Sequence, residues 1–224
     1  MFDRISRRYD LMNRVMTGGR DVAWRRFAAR EALAGQRDVV LDVASGTADL
    51  AIELARQGAA RVVGLDFSRE MLRGAAEKLR HLSNLRIELV CADAMRLPFA
   101  DATFDACTIG FGLRNLPDYR AGLAEMVRVL RPGGRLVVLE TTPVRRPWLA
   151  PVFRVYFGRM VPLIGGLVSG DRDAYHYLPH STGVFPDAET LADMLIDAGL
   201  ADVRFRRLML GTVALHVAIR PAVR

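Results

Sequence analysis

The sequence predicts an α/β fold built on a mostly parallel sheet with helices on both faces, and three observations carry that prediction. Apolar runs of strand length alternate with periodic, helix-length segments from residue 39 to residue 140, the pattern of a parallel sheet with right-handed crossovers. The run Val39 to Leu50, VVLDVASGTADL, is continuously apolar up to an acid and then turns at Ser45-Gly46-Thr47 into an Ala-rich periodic segment. A strand buried on both faces, a tight turn and a helix have that signature. The chain ends in two further strand-like runs, which finish the sheet as an antiparallel hairpin.

Taken in order, Phe2, Ile5, Tyr9, Met12 and Met16 recur at steps of three and four, an amphipathic helix interrupted at Thr17-Gly18-Gly19. A second periodic segment runs through Trp24, Phe27 and Ala28 to Gly35. This N-terminal part, residues 1–35, either packs on the core or forms a helical lid over the Gly46 turn, with Tyr9 and Trp24 as aromatic walls. Strands are expected at 39–44, 61–66, 86–91, 106–111 and 135–140, with helices near 48–57, 69–81 and 118–130. Pro132-Gly133-Gly134 reads as a turn before the fifth strand. Residues 143–186 carry Pro143, Pro147, Pro151, Pro162, Pro179 and Pro186 among Trp148, Phe153, Tyr156 and Phe157. So long an apolar, broken stretch suits a binding lid, and a core-covering helix is the alternative. A helix at 188–198 stops at Gly199, and strands at 203–209 and 213–219 follow. The whole reads as one domain of 224 residues.

Ligands of open α/β sheets sit off the carboxyl end of the first strand. A dinucleotide fold needs G-x-G-x-x-G there, so that backbone can approach a pyrophosphate. This chain has one glycine, Gly46, which fits a cofactor without a pyrophosphate; S-adenosylmethionine is the commonest of that kind. Asp66 lies about 20 residues on, at the end of RVVGLD, where a carboxylate accepts from both ribose hydroxyls. The competing reading is an N-cap for the helix that starts beside Ser68. Asp93 closes the third strand on the same edge, either to accept from an adenine amine or to stabilise its own turn. Arg114 and Asn115 follow two glycines at the end of a central strand, a place where chemistry sits.

The net charge of +7 admits nucleic acid, anionic membrane or acidic substrates. Lys78 is the only lysine among 32 basic residues, and no block of five basic residues occurs, so no nucleic-acid partner is expected. Cys91 and Cys107 have no metal-ligand spacing and read as reduced, buried thiols of a cytoplasmic protein. The charged N-terminus leaves no h-region, and Met160 to Gly170 is too short to span a bilayer. Asp173, His176 and His180 could be drawn as a metal set, but Pro179 breaks the register that would unite the histidines, and no metal is expected.

The chain resembles the class I S-adenosylmethionine-dependent methyltransferases, and within them the C-methyltransferases of menaquinone and ubiquinone biosynthesis. The resemblance is carried by Tyr9-Asp10-Leu11-Met12-Asn13 with Thr17 and Trp24, by Gly110-Phe111-Gly112-Leu113-Arg114-Asn115, and by Arg128-Val129-Leu130-Arg131-Pro132-Gly133-Gly134 running to Glu140. Asp173-Ala174-Tyr175-His176-Tyr177-Leu178 and Ala214-Leu215-His216 complete it. Asp21 stands where the family has His, Thr17 and Thr142 where it has Ser, and Gly110 where some members place a Ser.

The resemblance implies a Rossmann-like seven-stranded sheet and Thr47, Asp66, Asp93 and Ala94 as cofactor-binding positions, beside Gly46 from spacing. It also implies Arg114 and Asn115 near the substrate oxygen. The substrate is then a prenylated quinol, demethylmenaquinol going to menaquinol, with Gly110-Phe111-Gly112 and Leu116-Pro117-Asp118 leaning toward members that make menaquinone alone. Such a tail implies peripheral contact at the inner face of the membrane, with residues 143–186 as suitable material; oligomeric state is left open. The ring carbon is nucleophilic only when a hydroxyl is ionised or nearly so, and Arg114 with Asn115 is expected to stabilise that oxyanion. The proton then leaves through water, Tyr9 or His176. Competing readings are a benzoquinol methylase of the ubiquinone pathway, a methyltransferase of another small molecule, a nicotinamide oxidoreductase and a non-catalytic nucleotide-binding module.

Overall fold

The computed structural model describes residues 9–143 and 185–222. After helices α1 (Tyr9–Thr17) and α2 (Arg20–Ala32), the chain alternates β1 (Val39–Val43), α3 (Asp49–Arg56), β2 (Arg61–Asp66), α4 (Arg69–Leu79) and β3 (Ile87–Cys91). It then returns through β4 (Phe104–Gly110), a short 3-10 turn (Leu113–Asn115), α5 (Tyr119–Val129) and β5 (Leu130–Thr141). Helix α6 (Ala188–Asp197) leads to β6 (Ala201–Leu208) and β7 (Val213–Ile219). The seven strands lie in the order β3-β2-β1-β4-β5-β7-β6, parallel from β3 to β5, with β7 antiparallel to both of its neighbours.

The order reverses between β1 and β4. The chain winds outward from β1 to β3, crosses back, and winds outward again, which opens a crevice between the ends of those two central strands. Both faces of the sheet are covered, and this explains the unbroken apolar runs. Leu41, Val43, Leu65 and Ile109 point into one core with Leu123 and Met126 of α5 and Leu191 and Leu195 of α6. Val40, Val62, Ala106 and Val137 point into the other, with Ala28, Ala29 and Ala32 of α2 and Ala51 and Leu54 of α3. The alanines of α2 allow close approach to the sheet, so this helix packs on the core, the first of the two roles considered for the N-terminal pair.

The strand boundaries differ instructively from the sequence reading. β1 and β4 stop one residue early, because Ala44 and Phe111 take left-handed backbone angles, with φ of 51° and 58°. Pro132-Gly133-Gly134 does not precede β5 but bulges within it, between the pairs Phe104–Leu130 and Ala106–Arg135. The expectation that both cysteines are buried is corrected: Cys107 on central β4 is buried, while Cys91 ends the edge strand β3 and is exposed. No helix among the described residues is long and apolar enough to cross a membrane. Segment 144–184, with Asp173, His176 and His180, lies outside the described residues, as does the side chain of Tyr9.

Candidate active site

A cavity of about 300 Å³ opens at the reversal between β1 and β4, lined by Gly46, Asp66, Asp93, Ala94 and Asn115, with apolar walls from Leu65, Met71 and Leu116. Five of the seven residues singled out from the sequence therefore converge. Thr47 and Arg114 do not line it.

Asp66 owes its place to the turn that faces it. Its Oδ2 accepts from the Gly46 N–H at 2.7 Å and its Oδ1 from the Ser68 N–H at 2.8 Å. Gly46 itself sits at φ 56°, the conformation that makes glycine the residue for this reversal. The N-cap reading of Asp66 is settled by Ser68, whose own Oγ accepts from Met71 N–H and caps α4. Asp66 thus holds the turn and the start of α4 in one geometry at the cavity wall. Asp93 makes the local turn that was one of its two readings, its Oδ1 accepting from Met95 N–H at 2.9 Å, and it lines the same cavity.

The opposite wall is the turn after β4. A Cβ on Gly112 would lie 2.5 Å from the Ala44 Cβ, so the turns after β1 and β4 touch only because residue 112 is glycine. Phe111, left-handed without being glycine, stores strain there. Its carbonyl accepts from Arg114 Nη1 at 2.9 Å and from Asn115 Nδ2 at 3.3 Å. Asn115 Oδ1 is buried and has no hydrogen-bond partner among the described residues, an acceptor left over at the edge of the cavity.

Arg114 stands beside the larger cavity without lining it and is paired with an acid. Its guanidinium pairs with Glu140, the two side chains being 9% and 1% exposed, and Glu140 Oε2 also accepts from the Arg114 N–H at 3.2 Å. A buried carboxylate thus pairs with one end of this cation, while Arg114 Nε is buried with no hydrogen-bond partner among the described residues. Its work is to fix the turn that carries Asn115. Arg114 instead borders a smaller cavity of about 60 Å³, with Asn13, Thr17, Asp21, Trp24 and Phe111. Trp24 is an aromatic wall of that space, its ring centroid 6.3 Å from that of Phe111.

The sequence reading passes over Glu140, although it ends an apolar strand just as Asp66 does. It also passes over Asp42, whose carboxyl is buried on β1 with Oδ1 accepting from Thr108 Oγ1 at 2.7 Å. Burial raises its pKa to about 7, helped by the nearby Asp66 charge and opposed by the Thr108 bond and Arg25. Thr47 is buried, and its hydroxyl donates to Asp10 Oδ1 of α1 at 2.5 Å. Another cavity, about 410 Å³, lies between α1 and helices α2, α3 and α4, where Arg14, Arg25, Arg56 and Lys78 meet Asp10, Asp49 and Glu53. Val22, Ile52 and Leu82 also line it, but its charges are largely matched and it lies away from the reversal of strand order where ligands of such sheets bind. No group of three metal-ligating side chains occurs among the described residues.

Comparison with known proteins agrees with this architecture. The model of the ubiE/COQ5 methyltransferase family matches residues 1–220. A demethylmenaquinone methyltransferase of Thermus thermophilus is 47% identical over 99% of this chain and 100% of its own length. One from Deinococcus radiodurans is 50% identical over 97% of this chain and 90% of its own. A ubiquinone/menaquinone biosynthesis C-methyltransferase of Desulfotalea psychrophila is 45% identical over 98% and 89%. Among solved structures, a putative methyltransferase from Bacillus halodurans matches with a TM-score of 0.64 at 20% identity, covering 91% of this chain and 100% of that one, a likeness of fold. With the seven-stranded sheet, the single-glycine turn and its partner acid in place, the chain belongs to the ubiE/COQ5 methyltransferase family and is an S-adenosylmethionine-dependent methyltransferase.

Proposed function

We propose that this enzyme methylates a ring carbon of a prenylated naphthoquinol, converting demethylmenaquinol to menaquinol. The observation that carries the reading is the convergence of Gly46, Asp66, Asp93, Ala94 and Asn115 on one cavity at the reversal of strand order. Relatives covering nearly the whole chain, and named for that methylation, support it.

The residues present fit the donor. Asp66, oriented by two backbone amides, accepts from the ribose hydroxyls; Asp93 accepts from the adenine amine, and Ala94 leaves room for the ring. S-adenosylmethionine supplies a methyl group on a sulfonium, open to in-line displacement by a carbon nucleophile. Asn115 faces that position with an unpartnered oxygen. Its Oδ1 would accept from a quinol hydroxyl, pushing electron density toward the neighbouring ring carbon and orienting it for attack. As the carbon–methyl bond forms the methyl–sulfur bond breaks, and the ring carbon then loses its proton to water. Arg114 and Glu140 hold Asn115 there. The prenyl tail, insoluble in water, would be met at a membrane surface.

Incubation with labelled methyl donor tests the reading. Label is expected in reduced demethylmenaquinone. Label only in the benzoquinol precursor would move the enzyme to the ubiquinone pathway, and transfer only to a soluble phenol or amine would refute a quinol substrate.

A further inference from the structure

The chain uses arginine at every basic position but one. Lys78, the single lysine among 32 basic residues, stands on α4 with its Nζ 2.5 Å from Asp10 Oδ2 and 2.7 Å from Asp49 Oδ1. One ammonium thus bridges two carboxylates from different helices, α1 and the first turn of α3. A compact ammonium with three rotatable donors can take both carboxylates from one point, whereas a guanidinium, though Arg128 here bridges Glu125 and Asp101, presents its donors in a fixed plane on a bulkier head. The other oxygen of Asp10 takes the hydroxyl of Thr47, at 2.5 Å. Thr47 follows Gly46, the residue whose N–H is held by Asp66. One polar tie from α1 therefore ends on the turn that borders the donor cavity, and a second, through Lys78, ends on α4. Leu11 and Val15 of α1 are 54% and 38% exposed, so part of the helix's apolar surface is left out of the core. Lys78, Asp10 and Asp49 are 30%, 29% and 19% exposed, shielded enough for the pairs to resist screening by salt.

We infer that Asp10 and Lys78 are positioning residues for the donor-binding turn: through Thr47 they fasten α1 to it, so that docking of α1 and binding of S-adenosylmethionine strengthen each other. The inference rests on the reading of that cavity as the donor site. Coupling of this kind is reciprocal. A turn held in its binding shape pays less to bind the donor, and a bound donor stiffens the turn on which α1 rests.

Calorimetry with S-adenosylhomocysteine, which needs no quinol, tests it on the full chain. Asp10→Ala and Lys78→Met are each expected to weaken binding about 3- to 10-fold, and the double variant to be no weaker than the poorer single, because one network is broken once. Lys78→Arg is expected to recover less than half of the loss. Asp10→Asn, which keeps an acceptor for Thr47 and discards the ion pair, serves if the alanine variant does not fold. The KM for the donor should rise more than kcat falls. Hydrogen exchange adds a readout that a merely structural role would not move: ligand should slow the amides of α1 in the parent and not in Asp10→Ala. Parent-like affinity in both single variants, or losses that add, would overturn the latch, and full affinity in Lys78→Arg would overturn the part assigned to lysine geometry. A parent that does not bind the ligand would overturn the donor site itself, and the latch with it.

Discussion

The turns after β1 and after β4 face each other across the same cavity, yet they are held in different ways. The first is organised from the strand beside it: Asp66 reaches across from β2, and its two bonds run to backbone amides of Gly46 and Ser68. The second is held from its neighbouring strand too, but through a side chain: the buried carboxylate of Glu140 on β5 grips the Arg114 guanidinium. In the first turn the charged side chain lines the cavity, and in the second it is spent on the scaffold. A charged residue beside a site can thus be tied into the scaffold by a buried partner of opposite sign, as Arg114 is by Glu140.

Glu140→Ala should separate the two arrangements most sharply. It strands the Arg114 guanidinium in the interior and should cost about 3–5 kcal/mol in urea unfolding. An exposed, unpaired Arg114 would predict almost no change. Asp66→Ala comes next, with donor affinity lower by roughly 10- to 100-fold in calorimetry, about 1.4–2.7 kcal/mol, and with smaller losses in stability than Glu140→Ala. Equal effects of the two substitutions on donor affinity would erase the distinction between the turns. Gly112→Ala forces the turns apart and should destabilise by about 1–3 kcal/mol while lowering turnover; a parent-like variant would mean that their close approach is unimportant.

The smallest effect is a slope. The Asp42 carboxyl has a folded pKa of about 7 against 3.8 for an ordinary aspartate, so between those values the native protein holds a proton that the unfolded chain has released. Its contribution to stability therefore falls as pH rises from about 4 to about 7 and levels off above. His216, whose pKa burial lowers, contributes in the opposite sense, losing stability as pH falls through the unfolded histidine range. Asp42→Asn should remove the first slope and leave the second, which urea melts across that range would show. An unaltered profile would mean that Asp42 is ionised in its burial site.

The α/β class, the seven strands and the placing of Gly46 and Asp66 at the ends of the first two strands could all be read from the chain, because covered strands must be apolar and their ends show as turns and acids. The bond between Gly46 and Asp66, in contrast, came from the pairing of β1 with β2. The end of β5 was as readable in principle: Glu140 closes an apolar run just as Asp66 does. Its partner was not, since 26 residues separate it from Arg114 and only the parallel pairing of β4 with β5 brings the two together. The exposure of Cys91 likewise followed from β3 being an edge strand, which local composition does not reveal.

What the amino-acid order determined alone was therefore periodic and local: strand, turn and helix, and the kinds of side chain placed at strand ends. Tertiary structure decided which charges face the cavity and which are neutralised beneath it, because pairing depends on distances between strands and helices far apart in the chain. Lys78 shows both levels at once. Its singularity is visible in a list of residues, but its meaning appears only where α1, α3 and α4 bring two carboxylates within reach of one ammonium.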